Sequence, residues 1–325
     1  MALDPLDEAH ALQIQAGILG RRAGHQFEDW IAHRINSSAY PLHMPRVPPA
    51  HLATGDPGAL LLQQVGTHLG LHKIDSAHAI STGALATSDL GKRWLTINGA
   101  SVSRCKSDLV LTLRSGGAAI ASVGVSTKQC NNKSPTNAQL YFTTANGFAS
   151  LLLRDGLVIS EHAVNALRSF CGEPGFRPTD NPSAMANRQI DPRRFFWEEL
   201  SQPGRRELEA IFRQQQARIT KLLLQKAYLD DAFTPDFLLH KTRRSASPDQ
   251  TEVAIFQIDQ LVQRSGSYQG FATRPYGVHK GSFKDPPGVT HLAPRFGIVQ
   301  MQRGGQKQHP EQLQFNLEAG YFYRF

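Results

Sequence analysis

The pattern of apolar and polar positions predicts a β-hairpin in the first half of the chain. Two apolar runs, at 108–113 and 118–129, are separated by a Ser-Gly-Gly segment that is typical of a tight turn. If the chain reverses there, residues whose numbers sum to about 234 lie opposite each other, so Asp108 and Ser126 become cross-strand neighbours. Because side chains alternate along a strand, Ser126 and Lys128 point to the same face. The hairpin therefore brings an acid, a hydroxyl and a lysine together.

Apolar positions three and four residues apart predict helices on both sides of this hairpin. The predicted helices cover 7–36, 60–71, 140–153 and 193–229. The other predicted strands cover 94–98, 237–240, 252–258, 295–302, 312–317 and 321–325, and loops are predicted at 41–57 and 81–88. Helix, hairpin and helix in this order predict an α/β fold, and the later strand-like runs predict a C-terminal α+β elaboration.

Composition narrows the class of partner. The chain has 325 residues, a net charge of +8 and a pI near 9.5, which suits a polyanion such as nucleic acid; a basic surface that serves only solubility is the alternative. Its three cysteines lack zinc-site spacing and favour reduced thiols in the cytoplasm. The sequence shows neither a secretory signal nor a run of about 18 apolar residues, so we expect no membrane span. No Walker A motif occurs, so we expect that the protein does not use ATP.

The acid, serine and lysine of the hairpin resemble the active centre of the PD-(D/E)xK nucleases, in the Ser-x-Lys form of some type II restriction endonucleases. The resemblance covers roughly residues 17–153 and implies a restriction-endonuclease-like core, in which a mixed central sheet is flanked by helices. It also implies that the core uses Mg²⁺. It implies that Asp108 is a metal ligand, that Lys128 supports the attacking water, and that Ser126 contacts metal or phosphate. The alternative is an ordinary ion pair between Asp108 and Lys128 at a strand end.

The chain departs from the family pattern at Ser126, where most members carry Asp or Glu. The segment after Lys128 contains no acidic residue before Asp155, so the replacement acid must come from elsewhere. We predict that Glu28, on the first helix and next to Phe27, is this catalytic acid and the second metal ligand. The alternative is an exposed helix carboxylate.

Candidate DNA-binding residues are amides and cations in predicted loops, because arginine reads guanine, amides read adenine, and lysine holds phosphate. Some of these candidates lie in the segment directly after Lys128, and the others lie in glycine-rich loops of the last third of the chain. The candidates are Asn131, Asn132, Lys133, Arg243, Arg244, Gln269, Lys280, Arg303, Gln306 and Lys307. Solvated hairpin loops are the alternative interpretation of the glycine-rich segments.

The length favours about two domains, and a Pro/Asn/Ser-rich stretch at 174–191 suggests their boundary. We predict N-terminal helices and the catalytic core over 1–173, and a helical, strand-rich recognition region over 174–325. The leading hypothesis is a type II restriction endonuclease that cuts double-stranded DNA, leaves 5′-phosphate ends and acts as a homodimer on a palindromic site. The alternatives are a non-catalytic DNA-binding protein on a decayed nuclease fold, and a structure-selective or RNA nuclease.

Overall fold

A computed structural model describes residues 24–83, 89–94, 96–97, 100–101, 105–225, 233–268, 270–279, 283–304 and 311–325. The first part of the predicted N-terminal helix lies outside the described residues. The predicted DNA contacts Gln269, Lys280, Gln306 and Lys307 also lie outside them, so their roles stay predictions.

Helices and strands occur in runs along the described chain. The helices are α1 (24–36), α2 (Pro57–His68), α3 (Asp89–Trp94), α4 (Ala145–Arg154), α5 (Glu161–Cys171), α6 (Pro182–Met185), α7 (Gln202–Gln214), α8 (Gln216–Gln225) and α9 (Ile258–Gly266). The strands are β1 (Leu42–His43), β2 (Leu52–Gly55), β3 (Lys73–Ile74), β4 (Ser76–Ser81), β5 (Thr96–Ile97), β6 (Ala100–Ser101), β7 (Leu109–Ser115), β8 (Ala118–Gln129), β9 (Ala138–Thr143), β10 (Pro235–Lys241), β11 (Thr251–Gln257), β12 (Phe271–Tyr276), β13 (His291–Phe296), β14 (Val299–Arg303) and β15 (Leu313–Leu317). Among the described residues, no helix has both the length and the apolar character to cross a membrane.

The described residues fall into two compact units, each assembled from separate stretches of chain. The hairpin unit contains 24–138, 221–264 and 319–325, and the five-stranded unit contains 139–220 and 265–318. These units do not coincide with the predicted regions, because β10 and β11 join the sheet of the hairpin unit. The predicted division of function between the two regions stays a prediction.

The hairpin unit is built on a six-stranded mixed sheet with the order β2-β11-β10-β8-β7-β4. Strands β8 and β10 run parallel, whereas the other neighbours are antiparallel. The carboxyl ends of β8 and β10 therefore lie at the same edge of the sheet, and the amino end of β7 lies there too. This edge carries Asp108, directly before β7, and Lys128, near the end of β8.

The predicted register of the hairpin is confirmed. Leu109 pairs with Val125 and Leu111 pairs with Val123, and the register shifts only beyond Leu113. The apolar run along β8 is explained by burial of both faces of its carboxyl half, from Val123 onward.

Helices α1 and α2 pack on one face of this sheet through their apolar stripes. Ile31, Leu61 and Val65 are fully buried there against the sheet residues Leu111 and Val125. Burial of each such side chain contributes about 1.5–3 kcal/mol. Helix α2 starts at Asp56, whose carboxylate accepts hydrogen bonds from two backbone amides of the first turn. The predicted α/β fold, a mixed central sheet flanked by helices, is thus confirmed.

The five-stranded unit has its own sheet, with the order β12-β13-β14-β15-β9, and its own core of aromatic rings. Phe212 stacks on Phe296 with ring centroids 4.8 Å apart, and Phe148 lies 4.7 Å from Phe315. The stretch 193–229, predicted as one or two helices, contains α7 and α8 among its described residues.

Several predicted elements were wrong. The stretch predicted as one helix at 140–153 is β9 followed by α4, because the Thr144 hydroxyl accepts from the Gly147 amide and starts the helix there. The run at 295–302 is two strands, β13 and β14, that turn at Gly297 with φ of 55°. The run at 321–325 forms a 3₁₀ turn, Tyr321–Arg324, rather than a strand.

Local patterns also missed strands in stretches predicted as loops. Strand β2 lies within the proline-rich stretch 41–57 and pairs with β11 at the sheet edge. Helix α3 ends at Trp94, where a strand was predicted, and the other described residues of the predicted strand 94–98 form β5. Edge pairing supplies the hydrogen bonds for such short strands, which a local pattern does not reveal.

Candidate active site

Asp108 lies at the edge of the sheet where β7 begins and β8 ends. Its backbone N–H donates to the Val125 carbonyl at 2.8 Å, and its carbonyl accepts from the Thr82 N–H at 2.9 Å. Its carboxylate oxygen Oδ2 accepts hydrogen bonds from the Thr127 N–H at 2.6 Å and the Ser126 hydroxyl at 3.2 Å. The hydrogen-bonded β-ladder therefore holds this carboxylate firmly in place.

Ser126 and Lys128 lie on one face of β8 beside that carboxylate, as predicted. The Lys128 ammonium donates to the Ser126 hydroxyl at 3.1 Å and to the Thr127 carbonyl at 2.6 Å, and it lies 3.9 Å from Asp108 Oδ2. The Lys128 side chain is 17% exposed and that of Asp108 is 25% exposed. We name these three residues the acid–serine–lysine cluster; it holds a positive and a negative charge that a ligand can still reach.

Glu28 approaches the cluster from helix α1, on the other face of β8. The Thr127 hydroxyl donates to Glu28 Oε1 at 2.9 Å, and His25 Nδ1 lies 3.2 Å from Glu28 Oε2. Glu28 is 6% exposed, so the alternative of a solvated helix carboxylate is wrong. Thr127, which points away from Ser126 and Lys128, links Glu28 to the strand that carries them.

Gly83 makes the close packing around Glu28 possible. A Cβ atom at Gly83 would lie 2.3 Å from His25 Nδ1 and 2.6 Å from Glu28 Oε2. Glycine therefore lets the backbone after β4 pass this close to the His25–Glu28 pair without a shift of either side chain. Any larger residue would displace one of these two side chains.

Burial and neighbouring charges shift the titration of the His25–Glu28 pair. Desolvation by burial raises the pKa of Glu28, and the negative charge of Asp108 adds to this increase. The hydrogen bond to Glu28 raises the pKa of His25, and the negative charges of Glu28 and Asp108 raise it further. The two carboxylates therefore repel each other, and a positive charge placed near both would favour the ionised form of Glu28.

The oxygen donors around Asp108 are compatible with Mg²⁺, which binds through one or two carboxylates and retains several waters. Within the described residues, Asp108 Oδ1 accepts no hydrogen bond, so it remains available as a ligand. Glu28 can bind only in its ionised form, and both its oxygens already accept or share a hydrogen bond. Among the described residues, no group of three or more His, Cys, Asp or Glu side chains has a metal-binding arrangement.

His240 lies beside Lys128 across the parallel pair of β8 and β10, where the two residues are register partners. The His240 side chain is buried, and its ring stacks on Tyr321 with centroids 5.8 Å apart. Desolvation lowers the pKa of His240 to about 3, and the charge of Lys128 contributes to this decrease. The ring is therefore neutral at physiological pH and leaves Lys128 as the cation of the cluster.

The predicted DNA contacts after β8 lie next to those after β10, because these strands are parallel. Asn131 Oδ1 accepts from the Lys241 ammonium at 2.9 Å, and the Asn132 carbonyl accepts from the Arg244 N–H at 2.8 Å. The side chains of Asn131, Asn132, Lys133 and Arg244 are exposed. They share the sheet edge with the acid–serine–lysine cluster. Arg243 is half-exposed and pairs with the Glu252 carboxylate.

The structure argues against the predicted DNA contact of Arg303. Its side chain is 7% exposed, and its guanidinium donates to the Cys171 carbonyl at 2.8 Å. It also lies 3.8 Å from the carboxylate of Asp191. Burial lowers the pKa of Arg303 to about 10. Since these contacts lie inside the five-stranded unit, we assign Arg303 a structural role.

Sequence reasoning missed three residues that organise the site: His25, Thr127 and Gly83. His25 and Glu28 are three residues apart on a helix, a spacing that allows their side chains to meet. Alternation along β8 predicts that Thr127 faces away from Lys128, but nothing local indicates that a helix carboxylate meets it there. The close approach of Gly83 has no signal in the sequence.

The fold and the site together define an α/β protein with a mixed sheet, whose edge carries an acid, a serine and a lysine. No family model and no curated protein matches the sequence. Among solved structures, the chain is similar to the restriction endonuclease MspI in complex with its cognate DNA. The sequence identity is 13%, the TM-score is 0.41, and the alignment covers 78% of this chain and 75% of that chain. A similarity at this level carries no argument about activity, so the site is interpreted from its own geometry.

Proposed function

We propose that this protein is a Mg²⁺-dependent endonuclease of the type II restriction class. It would hydrolyse phosphodiester bonds of double-stranded DNA at a specific sequence and leave 5′-phosphate ends. The observation that supports this proposal most directly is the acid–serine–lysine cluster, in which Lys128 contacts Ser126 and lies 3.9 Å from Asp108. The net charge of +8 favours a polyanionic substrate.

Phosphodiester hydrolysis requires a positioned water and stabilisation of the charge that develops on phosphoryl oxygens. Lys128 can supply this stabilisation because its ammonium is mostly shielded from water, where electrostatic interactions are stronger. Its bonds to the Ser126 hydroxyl and the Thr127 carbonyl leave one of its three protons for a phosphate oxygen or a water. Ser126 would thus orient the lysine and contact phosphate or metal only through its hydroxyl.

Asp108 would hold Mg²⁺ through Oδ1, and Glu28 would join it once ionised. When bound, Mg²⁺ lowers the pKa of a coordinated water and neutralises phosphoryl charge. Asp108 keeps its orientation through the Thr127 N–H and the Ser126 hydroxyl, so the ligand oxygen is positioned before metal or DNA arrives. Thr127 does the same for Glu28.

The exposed amides and cations at the same sheet edge would hold the DNA. Asn131, Asn132, Lys133 and Arg244 lie beyond the ends of β8 and β10, next to the cluster. A palindromic target would require two copies of the chain related by a twofold axis, one centre for each strand. We therefore propose a homodimer as the cleaving species.

The second candidate function is a DNA-binding protein without catalytic activity. One observation favours it: Glu28 is buried, its pKa is raised, and both its oxygens are engaged by Thr127 and His25. Such a carboxylate can serve packing rather than metal binding. This candidate predicts specific, salt-dependent DNA binding without metal-dependent cleavage.

The test is digestion of unmethylated phage DNA by the purified protein with Mg²⁺, beside the Asp108→Ala variant and a sample with EDTA. The proposal predicts discrete fragments that disappear in both controls, and end mapping would identify the target and the 5′-phosphate. Intact DNA with every divalent metal, combined with specific binding in an electrophoretic shift assay, would support the second candidate. Cleavage that survives Asp108→Ala would refute the site assignment.

A further inference from the structure

A pocket of about 290 Å³ opens in the hairpin unit at the sheet edge where β8 and β10 end. One side is formed by the first turns of α1, with Phe27 and Trp30. The other side is formed by residues at and beyond the ends of β8 and β10, among them Gln129 and Lys241. Gln129 follows Lys128 in the chain, and its side chain points to the face of β8 that carries Thr127 and Glu28. The pocket therefore lies on the Glu28 side of the sheet edge.

Phe27 and Trp30, which form the aromatic wall of the pocket, are only partly buried in the hydrophobic core. Phe27 and Trp30 lie nearly parallel, with an interplanar angle of 18° and ring centroids 6.3 Å apart. Both rings pack against the core of the hairpin unit, yet both remain partly exposed where they line the pocket. Partly exposed aromatic faces are surfaces on which a planar ring can stack.

The remaining lining is polar and carries groups that can recognise the edge of a planar ring. Gln26, Gln129 and Asn131 present amides, which both donate and accept hydrogen bonds. The Lys241 ammonium lies 5.8 Å from the Phe27 ring centroid and donates to Asn131 Oδ1 at 2.9 Å. Burial lowers the pKa of Lys241. The pocket thus combines stacking faces, amides and one fixed cation.

We propose that this pocket binds an unpaired nucleobase of the DNA strand that is held at the acid–serine–lysine cluster. Nucleobases have a π-face for Phe27 and Trp30, and glutamine and asparagine amides match their edges. Asn131 belongs both to the pocket and to the proposed DNA-binding edge, which links the base to its backbone. The inference rests on the proposed function for the presence of DNA at this edge.

The balance between the cost of unpairing a base and the gain from stacking it decides which base enters the pocket. Removal of a paired base from a duplex costs about as much as stacking on one aromatic surface returns. A base that is already bulged or mismatched does not carry the full cost, so the pocket selects such a base over a paired one. The proposal therefore predicts a preference that plain phosphate contacts cannot produce, since these are the same for all sequences.

The test measures binding of the full-length protein, in EDTA, to two short duplexes of the same sequence. One is fully paired, and the other carries a single extrahelical 2-aminopurine. We expect the bulged duplex to bind roughly tenfold more tightly, with quenching of the 2-aminopurine emission as it stacks in the pocket. Trp30→Leu should abolish both the preference and the quenching, whereas Trp30→Phe should retain them. Phe142→Leu, which changes an exposed aromatic residue outside the pocket, should behave like the wild type.

Equal affinity for the two duplexes, or a preference that survives Trp30→Leu, would overturn the proposal. If circular dichroism shows that Trp30→Leu is unfolded, Gln26→Ala replaces it, because Gln26 is exposed on the helix and lines the pocket. A preference that is unchanged in Gln26→Ala would then overturn the proposal. Digestion of DNA with Mg²⁺ distinguishes failure of the pocket proposal from failure of the endonuclease proposal. Cleavage without base preference would reject the pocket alone, and base preference without cleavage would reject the endonuclease alone.

Discussion

Two strands of this protein end with a cation beside a carboxylate, and the two pairs have nearly the same separation. At the end of β8, Lys128 lies 3.9 Å from Asp108, and at the end of β14, Arg303 lies 3.8 Å from Asp191. The two pairs differ in how far their side chains are exposed to solvent. The side chains of Lys128 and Asp108 are 17% and 25% exposed, whereas those of Arg303 and Asp191 are 7% and 2% exposed.

The partners of the two carboxylates explain the difference. Asp191 accepts from Arg193 through the backbone N–H at 3.0 Å and through the guanidinium at 2.8 and 2.9 Å. Both its oxygens are therefore engaged in the five-stranded unit. Asp108 is bonded through Oδ2, while Oδ1 accepts no hydrogen bond from the described residues. In a satisfied, buried pair the loss of one partner leaves an unpaired buried charge, whereas a partly open pair can receive a ligand.

The largest expected effect comes from Asp108→Asn. The amide keeps nearly the same shape, and its oxygen can still accept from the Thr127 N–H, but the negative charge for Mg²⁺ is lost. We expect DNA cleavage to fall by about 10³-fold, while specific DNA binding and the unfolding midpoint change little. Single-turnover cleavage and electrophoretic shift assays measure the two parts. Activity within tenfold of the wild type would mean that Asp108 is not a metal ligand.

Lys128→Ala should reduce cleavage by about 10²-fold, because it removes a cation that stabilises phosphoryl charge. The loss should appear in the rate of the bound complex rather than in DNA affinity. Ser126→Ala serves as a matched variant, since it removes only the hydroxyl that orients the lysine, and it should cost less. If Ser126→Ala were the more damaging change, the serine rather than the lysine would be the main contact to the reacting phosphate.

Arg303→Met tests the other side of the comparison. It removes the donor to the Cys171 carbonyl and leaves Asp191 with Arg193 and Arg194, so we expect a loss of about 2 kcal/mol in the free energy of unfolding. DNA affinity and its dependence on salt should remain those of the wild type. If DNA binding by the folded variant depended less on salt, the result would support the predicted contact between Arg303 and DNA.

The smallest effect is a dependence of stability on pH that involves Glu28. Burial raises the pKa of Glu28 above its ordinary value of 4.5, so the folded chain binds this proton more tightly than the unfolded chain. The resulting stabilisation is fully present below pH 4.5 and is lost as the pH rises through the raised pKa. Glu28→Gln should remove this loss of stability with rising pH. It should also raise the unfolding midpoint at neutral pH by about 1–2 °C.

The control for Glu28→Gln is the titration of His25, whose raised pKa depends mainly on its hydrogen bond to Glu28. An NMR titration should show a lower pKa for His25 in the variant. The variant should also lose Mg²⁺-dependent cleavage if Glu28 is a metal ligand, and keep it if Glu28 serves only packing. A pH profile identical to that of the wild type would exclude Glu28 as the titrating group.

Local sequence patterns predicted the hairpin well because its information is contained within about twenty contiguous residues. The two apolar strands, the glycine turn and strict alternation determined the register that places Ser126 and Lys128 beside Asp108. The same reasoning failed where a distant strand provides the hydrogen bonds, as at β2. It also failed for Arg303, since an arginine at the end of a strand looks the same in sequence whether it is buried or solvated.

The sequence alone determined the α/β class, the hairpin register and which residues form the acid–serine–lysine cluster, because each depends on periodicity and on residue type. Tertiary structure decided that Glu28 meets Thr127, that Gly83 allows this approach, and that Phe27 and Trp30 line a pocket. It also decided that β10 runs parallel to β8, which brings the residues after both strands to the same edge. The physical reason is that burial, and the pKa shifts and close contacts that follow from it, depend on residues far apart in the chain.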